Sequence, residues 1–361
     1  MNQNGLQVIM VSAFDNKIVN QLINNEKAIH FSIPLTRKLT PATDLVALIK
    51  LVILLQKLKP EIVHTHTPKA GLIGMIAAWI CRIPNRLHTV AGMPLQESKG
   101  IQRSILRISE KVTYALATRI YPNSFGLMNF ISARRWTKPE KLKMLAHGSS
   151  NGIDTNFFQP SEEINFLARS IRSKYNVGSK TVFIFVGRVV KEKGIDELLL
   201  AFREVSMQFS CLLFIVGPLE AKSVSKNSMQ ILSESPDVFH VGFHEDVRPW
   251  LAASDIHILP SYREGLPNVL LQAGAMEVPS IASNIIGCNE IITHGINGLL
   301  VAPKDVNSLK QSMRRLLDHP ELRKQIGLNA RINVASRYRQ DLVWNGILEE
   351  YKIMTHKTDV S

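Results

Sequence analysis

Cysteine is scarce in this chain of 361 residues. Cys81, Cys211 and Cys288 are scattered and odd in number, which argues against a secreted disulfide framework and for a reducing cytoplasm. Long apolar runs are missing too. The longest weakly polar stretch, Ala70–Cys81, falls short of the about 20 residues a membrane-spanning helix needs, and Leu45–Leu55 is interrupted by Lys50. The first residues lack the basic start and cleavage site of a signal peptide. The expectation is a soluble chain, or one lying on a membrane surface. Several chemical signatures are also absent: there is no Walker A loop, no Gly-x-Gly-x-x-Gly, no Gly-x-Ser-x-Gly and no Asp-x-Asp. ATPase, dehydrogenase and serine-hydrolase readings weaken accordingly.

What is present is the balance of an ordinary globular protein, with 45% hydrophobic and 20% charged residues. At about 150 residues per domain the length suggests two domains. The net charge of +13 is unevenly spread: residues 1–160 carry 20 Lys and Arg against 8 Asp and Glu, whereas residues 161–361 carry 23 against 22. Such asymmetry directs the first half toward something anionic: nucleic acid, an anionic membrane leaflet or a phosphorylated acceptor. A solvated surface without a partner is the plain alternative. Nucleic acid is disfavoured as a partner because the basic segments lack interleaved aromatics and any reading module.

Apolar runs alternate with helical patterns along the whole chain, the sign of an α/β class with parallel strands. In the first half, strands are expected at Leu6–Ser12, Ile29–Ile33, Ile62–His66, Arg86–Val90 and Arg119–Pro122. Helices are expected at Lys17–Asn25, Asp44–Lys59, Ala70–Cys81 and Ile101–Thr118. The last of these has a basic side made by Arg103, Arg107 and Lys111, with Ile101, Ile105, Leu106 and Ile108 beside it, a pattern suited to anionic lipid headgroups. The second half has strands at Lys180–Val186, Cys211–Val216, Val238–Val241, Ile256–Leu259 and Ser280–Ala282, and a helix at Ile195–Met207. Gly148-Ser149-Ser150-Asn151-Gly152 is the candidate linker, because small residues and Asn-Gly mark a turn.

Two segments carry chemistry. Val186-Gly187-Arg188-Val189-Val190-Lys191-Glu192-Lys193-Gly194 follows a strand and precedes a helix, so Arg188 and Lys193 are expected to converge on an anion such as a diphosphate. A charged surface turn fits the same pattern. Arg263 to Ala273 also follows a strand. Pro267 suits the first helical turn, and the N–H groups around Asn268 would face an anion or sugar hydroxyls, with Glu264 just outside the helix and Gln272 roughly two turns along. An acidic residue that merely favours the helix dipole is the alternative there. His64-Thr65-His66 sets two imidazoles at a strand end, yet no further ligand follows at zinc spacing, so no metal is expected.

At these residues the chain resembles the retaining glycosyltransferases of family 4, over nearly its whole length. Gly187-Arg188 with Lys193-Gly194 is similar to that family's phosphate-binding turn. Glu264 through Gln272 is similar to its Glu-x7-Glu motif, and Asn297-Gly298-Leu299-Leu300-Val301 to a late segment. Pro60 through Gly71 and Arg86 through Val90 resemble bacterial capsule and O-antigen members, which extend sugars carried on polyprenyl diphosphate lipids.

The resemblance implies a GT-B fold of two Rossmann-like doubly wound domains. Residues 1–148 would form the acceptor-binding domain, lacking its first strand and helix. Residues 149–335 would form the nucleotide-sugar-binding domain, and a C-terminal helix within 336–361 would pack back on the first domain. It further implies a retaining hexosyl- or N-acetylhexosaminyltransferase that uses a nucleotide-sugar donor, UDP-linked by expectation, and a polyprenyl-diphosphate-linked acceptor. The enzyme would need no cofactor or metal. It would sit in the cytoplasm, peripherally bound to the anionic inner face of the cell membrane.

Arg188, Lys193 and Glu264 would be the catalytic residues, with Gly187, Gly265, Leu266, Pro267, Asn268 and Gln272 binding the donor. His66, Lys69 and His88 are acceptor-side candidates. Three departures from the family stand out. Gln272 replaces the second Glu, Ala91-Gly92 stands where relatives have His-Gly, and Gly5–Ser12 matches the family's second strand. A truncated homologue that binds nucleotide without catalysis is the alternative.

Overall fold

The structure is a computed structural model and describes residues 4–15, 29–36, 40–96 and 98–356. The helix expected over Lys17–Asn25 lies outside these residues. The chain divides into two units: one comprises the residues up to Asn123, Leu127–Leu145 and the chain from Asn345 on, and the other comprises Ser124–Gly126 and Ala146–Trp344.

In the first unit, strands β1 (Ile9–Ser12) and β2 (Ile29–Ser32) form a parallel pair. Helix α1 (Pro41–Leu58) follows, opened by a proline in its first turn and closed by Lys59 in a left-handed conformation. Its Ala47, Leu51 and Leu55 recur on one face and are buried. Next come β3 (Ile62–Thr65), α2 (Pro68–Ile80), β4 (Asn85–Val90), α3 (Gly100–Leu116), β5 (Arg119–Pro122) and α4 (Phe125–Ala133). Strands β3, β4 and β5 form a second sheet, also parallel. The sheet of this unit is therefore split into a pair and a triplet. This matches a doubly wound domain whose central strand position is vacant among the described residues.

The second unit realises the βα alternation more completely. Its elements are α5 (Glu162–Lys174), β6 (Thr181–Val186), α6 (Ile195–Ser206), β7 (Cys211–Val216), α7 (Lys226–Glu234), β8 (Val238–Gly242), α8 (Arg248–Ala252), β9 (Ile256–Leu259), α9 (Asn268–Ala275), β10 (Ser280–Ser283), α10 (Cys288–Ile291), β11 (Leu299–Val301), α11 (Val306–Asp318) and α12 (Pro320–Arg337). The last helix, α13 (Gln340–His356), runs from this unit into the first. Six parallel strands lie in the order β11-β10-β9-β6-β7-β8. Side chains alternate across a strand, so Phe183 and Phe185 of β6 enter one core with Phe202 and Leu213, while Ile184 and Val186 enter another with Phe214 and Trp250. A sheet buried on both faces explains why these strands read as unbroken apolar runs.

Most element boundaries agree with the sequence pattern to within three residues. The expected linker is a turn: Gly148, Ser149 and Gly152 all have positive φ, and the Gly152 N–H donates to Ser149 Oγ at 2.9 Å. Among the described residues no helix is long and apolar enough to cross a membrane.

Candidate functional site

In open parallel sheets, ligands bind in the crevice beyond the carboxyl ends of the strands. In the second unit, β6 and β9 are neighbours, and the two segments singled out by sequence leave their carboxyl ends side by side. The loop after β6 is pinned to the loop after β7 by backbone bonds. Gly187 N–H donates to Val216 O at 2.9 Å, and Val189 N–H to Pro218 O at 2.9 Å. At Gly217 (φ 143°) a Cβ would lie 1.9 Å from Gly187 O, so only glycine permits the approach. Gly194 does the same toward β9: its φ is 71°, and a Cβ there would lie 2.1 Å from Pro260 O. Tyr262 N–H donates to Glu192 O at 2.9 Å, closing the same seam.

This seam sets Lys193 against Glu264. Lys193 Nζ lies 2.5 Å from Glu264 Oε1, with the two side chains only 24% and 12% exposed. Arg188, expected to converge with Lys193, instead donates to Glu220 Oε1 at 2.8 Å, and both of those side chains are about half exposed. The structure thus brings both cations to the loop after β6 but gives each its own carboxylate. Glu220 has no motif to announce it; it reaches Arg188 because β7 is the strand beside β6.

Helix α9 starts at Asn268, one residue later than the sequence suggested, with Pro267 as its N-cap. Among the described residues the N–H groups of Gly265, Leu266, Asn268 and Val269 have no hydrogen-bond partner, as helix starts leave them. Gln272 is one turn inside the helix, above Asn268, and its side chain bonds to nothing among the described residues. Two buried hydroxyls at the carboxyl ends of β9 and β10, Ser261 Oγ and Ser283 Oγ, also lack partners. Sequence reasoning passed over both, since an isolated Ser carries no pattern. Together the edge offers one half-buried ammonium, one exposed guanidinium, four free N–H donors and a carboxylate. That set can hold a doubly phosphorylated group and the hydroxyls of an attached sugar.

The acceptor-side candidates lie in the first unit and do different things. Lys69 is 2.5 Å from Asp44 and donates to Thr36 and Thr40, tying the start of α2 to that of α1. His66 is the first residue after β3, with its ring centroid 4.3 Å from that of His64. His64 is fully engaged: Nδ1 bonds Tyr351 Oη at 2.6 Å and Nε2 bonds Thr89 Oγ1 at 2.8 Å. His88 Nδ1 bonds Thr65 Oγ1 at 2.8 Å. Burial pushes all three imidazoles toward the neutral form, His64 strongly and His88 down to about 3. Among the described residues no group of three or more His, Cys, Asp or Glu is placed to hold a metal ion.

The partners of this cluster come from the far end of the chain. Glu350 of α13 accepts from Tyr121 Oη at 2.9 Å and pairs with Lys143, while Asn85 Nδ2 donates to Met354 O at 3.3 Å. Helix α3 is buried only toward its end, at Glu110, Thr113 and Tyr114. Its early turns expose Ile101 (81%), Ile105 (41%) and Ile108 (60%) beside exposed Arg103, Arg107 and Lys111.

Comparison with known proteins assigns both units to described groups. Residues 168–333 match the family described as glycosyl transferases group 1, and residues 25–148 match the glycosyl transferase 4-like domain. The chain is 31% identical over 363 residues to the capsular polysaccharide biosynthesis glycosyltransferase CapM of Staphylococcus aureus, covering 99% of this chain and 93% of that one. It is 28% identical to an Escherichia coli UDP-Gal:alpha-D-GlcNAc-diphosphoundecaprenol alpha-1,3-galactosyltransferase, covering 80% of this chain and 74% of that one. In fold it is similar to the Anabaena protein Alr3699/HepE, crystallised with UDP, at a TM-score of 0.78 and 18% identity, covering 96% of this chain and 100% of that one. It is also similar to WaaG, a glycosyltransferase involved in lipopolysaccharide biosynthesis, at a TM-score of 0.75 and 18% identity, covering 95% and 91%.

Proposed function

The chain belongs to the group 1 glycosyltransferases, and on that premise we propose that it moves a hexosyl or N-acetylhexosaminyl unit, with retention of anomeric configuration, from a UDP-sugar to a polyprenyl-diphosphate-linked acceptor in surface polysaccharide assembly. The observation that carries this reading is the half-buried Lys193–Glu264 pair beside the open N-terminus of α9. When the sugar departs, negative charge builds on the diphosphate, and donors already in place stabilise it without reorganising. Lys193 then turns from Glu264 to a phosphate oxygen, Arg188 leaves Glu220 for the outer side, and the freed Glu264 accepts from sugar hydroxyls. Gln272 is the group for the ribose, as a neutral donor and acceptor. These groups supply the positive field, so the reading needs no metal. Two relatives are named for diphosphoundecaprenol acceptors, the Escherichia coli galactosyltransferase and a Campylobacter jejuni N-acetylgalactosaminyltransferase, which supports a lipid-linked acceptor here. The exposed apolar and basic stripes of α3 support work at the inner face of the cell membrane.

The test is a panel of nucleotide sugars offered with polyprenyl-diphosphate-linked sugars, with product anomers read by NMR. Transfer from one UDP-sugar with an α-linked product is expected, and Glu264→Gln should lower turnover while UDP still binds. An inverted product would overturn retention. UDP binding with no transfer from any donor would overturn the catalytic reading.

A further inference from the structure

Residues 134–143 hold five cations and one acid, a concentrated share of the first half's positive charge. Three of the five cations are engaged. The Arg134 guanidinium lies 3.5 Å from the centre of the Phe130 ring, and Lys143 pairs with Glu350. Lys141 donates to the carbonyls of Tyr114, Ala115 and Ala117, which closes the end of α3. Arg135 and Lys138 are exposed, and among the described residues their side chains have no hydrogen-bond or ion-pair partner. Both line a crevice of about 660 Å³ between the ends of α3 and α4, with Ser132, Trp136, Thr137 and Lys141. No acidic residue lines it among the described residues. Glu140, the one acid of this stretch, is exposed.

The backbone holds these groups in place. Helix α4 ends in a Schellman turn: Trp136 N–H donates to Ile131 O at 3.5 Å and Arg135 N–H to Ser132 O at 2.9 Å, with Arg135 in the left-handed region at φ 51°. Glycine is the residue such a turn favours, so arginine stands there against backbone preference. Thr137 Oγ1 is buried without a partner, and among the described residues the N–H groups of Thr137 and Lys138 have none either. Lys141, with its own donors spent, adds field: burial lowers its pKa first, Arg86 and Lys138 lower it further, and only Glu140 opposes them.

The occupant's chemistry follows from those groups. All of them can donate, so the occupant accepts, and a cation is excluded by charge. A neutral sugar makes no use of Arg135 and Lys138. The guanidinium fork, the ammonium, the hydroxyl and two N–H groups are more donors than the two oxygens of a carboxylate take up, and they suit the three terminal oxygens of a phosphate. The crevice is larger than one phosphate, and Trp136, Ala115 and Pro139 give it an apolar wall for the body that carries the phosphate.

We propose that the crevice between the ends of α3 and α4 is a separate anion site of the first unit, taking a phosphomonoester whose phosphate is held by Arg135, Lys138 and Thr137. It lies at the amino end of β5, which α3 leads into, whereas the histidine cluster sits at the carboxyl ends of β3 and β4. The proposal does not depend on the transfer reaction.

The test is hydrogen exchange at residues 135–138 of the full chain, with two sources of the same phosphate. Glucose 1-phosphate at about ten times its Kd should slow exchange through local opening about tenfold there, and glucose should not. Vesicles of phosphatidylcholine containing phosphatidic acid are the second source. Protection by the vesicles but not by glucose 1-phosphate would name a lipid headgroup as the carrier; protection by glucose 1-phosphate would name a soluble one. Arg135→Gly suits the left-handed turn, so the melting temperature should stay nearly unchanged while the phosphate binds about tenfold more weakly or worse, the scale of one charge-assisted contact. Thr137→Val keeps the shape, removes the buried hydroxyl and should weaken binding severalfold. If Arg135→Gly does not fold, Lys138→Ala decides in its place. No protection from either source, equal protection by acetate, protection confined to residues 187–194, or undiminished binding in Arg135→Gly would overturn the proposal.

Discussion

The two units use the same alternation of strand and helix and end in different states. In the second, six parallel strands form one sheet packed on both faces, and the loops at its carboxyl edge are stitched together by backbone bonds and close glycine contacts. In the first, the sheet is divided, a cleft lined by His64 and His66 separates its parts, and His88 bonds Thr65 beside it; burial pushes all three imidazoles toward the neutral form. A binding edge needs positioned donors, and only a continuous sheet holds several loops in fixed register. The difference places the pre-organised chemistry in the second unit and the lower local stability in the first.

The largest expected effect falls on the stitched edge. Lys193→Ala should lower kcat/KM about a hundredfold or more, the scale of losing one buried transition-state donor. Arg188→Ala, which removes an exposed cation, should weaken UDP binding about tenfold, the scale of one charge-assisted contact. Initial rates and calorimetry check both, and equal losses would erase the distinction between a half-buried and an exposed cation. Next is α3. Replacing Arg103, Arg107 and Lys111 by Glu should lower partitioning onto anionic vesicles about a hundredfold or more, at about 1 kcal/mol per basic residue near the surface. Equal co-sedimentation of the two proteins would refute docking by this helix.

Acid sharpens the contrast between units. An imidazole held neutral by burial, such as His88 at about 3, takes up a proton when unfolded but not when folded. Its contribution is therefore full above about pH 6.5 and is lost as pH falls toward 3, by about 1 kcal/mol for His88 at pH 5.5. The first unit holds three such groups among its described residues and the second holds His257, also lowered to about 3 by burial. Urea melts at pH 7 and pH 5.5 should show the first unit's transition moving further than the second's; parallel movement would contradict the account. The smallest effect is Gln272→Glu, which turns a neutral contact into a charge-assisted one and should tighten UDP severalfold, by about 1 kcal/mol in calorimetry. Weaker binding would place the ribose elsewhere.

Much of this was legible in the chain because local spacing carries it. β5, β7 and β9 have the bounds their apolar runs suggested, and Lys193 and Glu264 stood out as charges just past strand ends. What stayed hidden depends on contacts distant in sequence. Glu220 matters because β7 lies beside β6, and Tyr351 and Glu350 matter because the last helix returns to β3 and β5. No window of sequence reports those neighbours. Pro267 stops at the N-cap because the first residue with helical geometry is Asn268, a shift of one position that spacing does not resolve. The split of the first sheet, and a gap between its parts, were both foreseeable from the match of Gly5–Ser12 to a second strand.

The most direct test of the central claim, that the carboxyl edge of the second unit is the donor site, is hydrogen exchange with and without UDP. The account predicts slowed exchange at residues 187–194 and 264–272, lost in Lys193→Ala, with the first unit unchanged. Protection confined to the first unit, or none at saturating UDP, would contradict it.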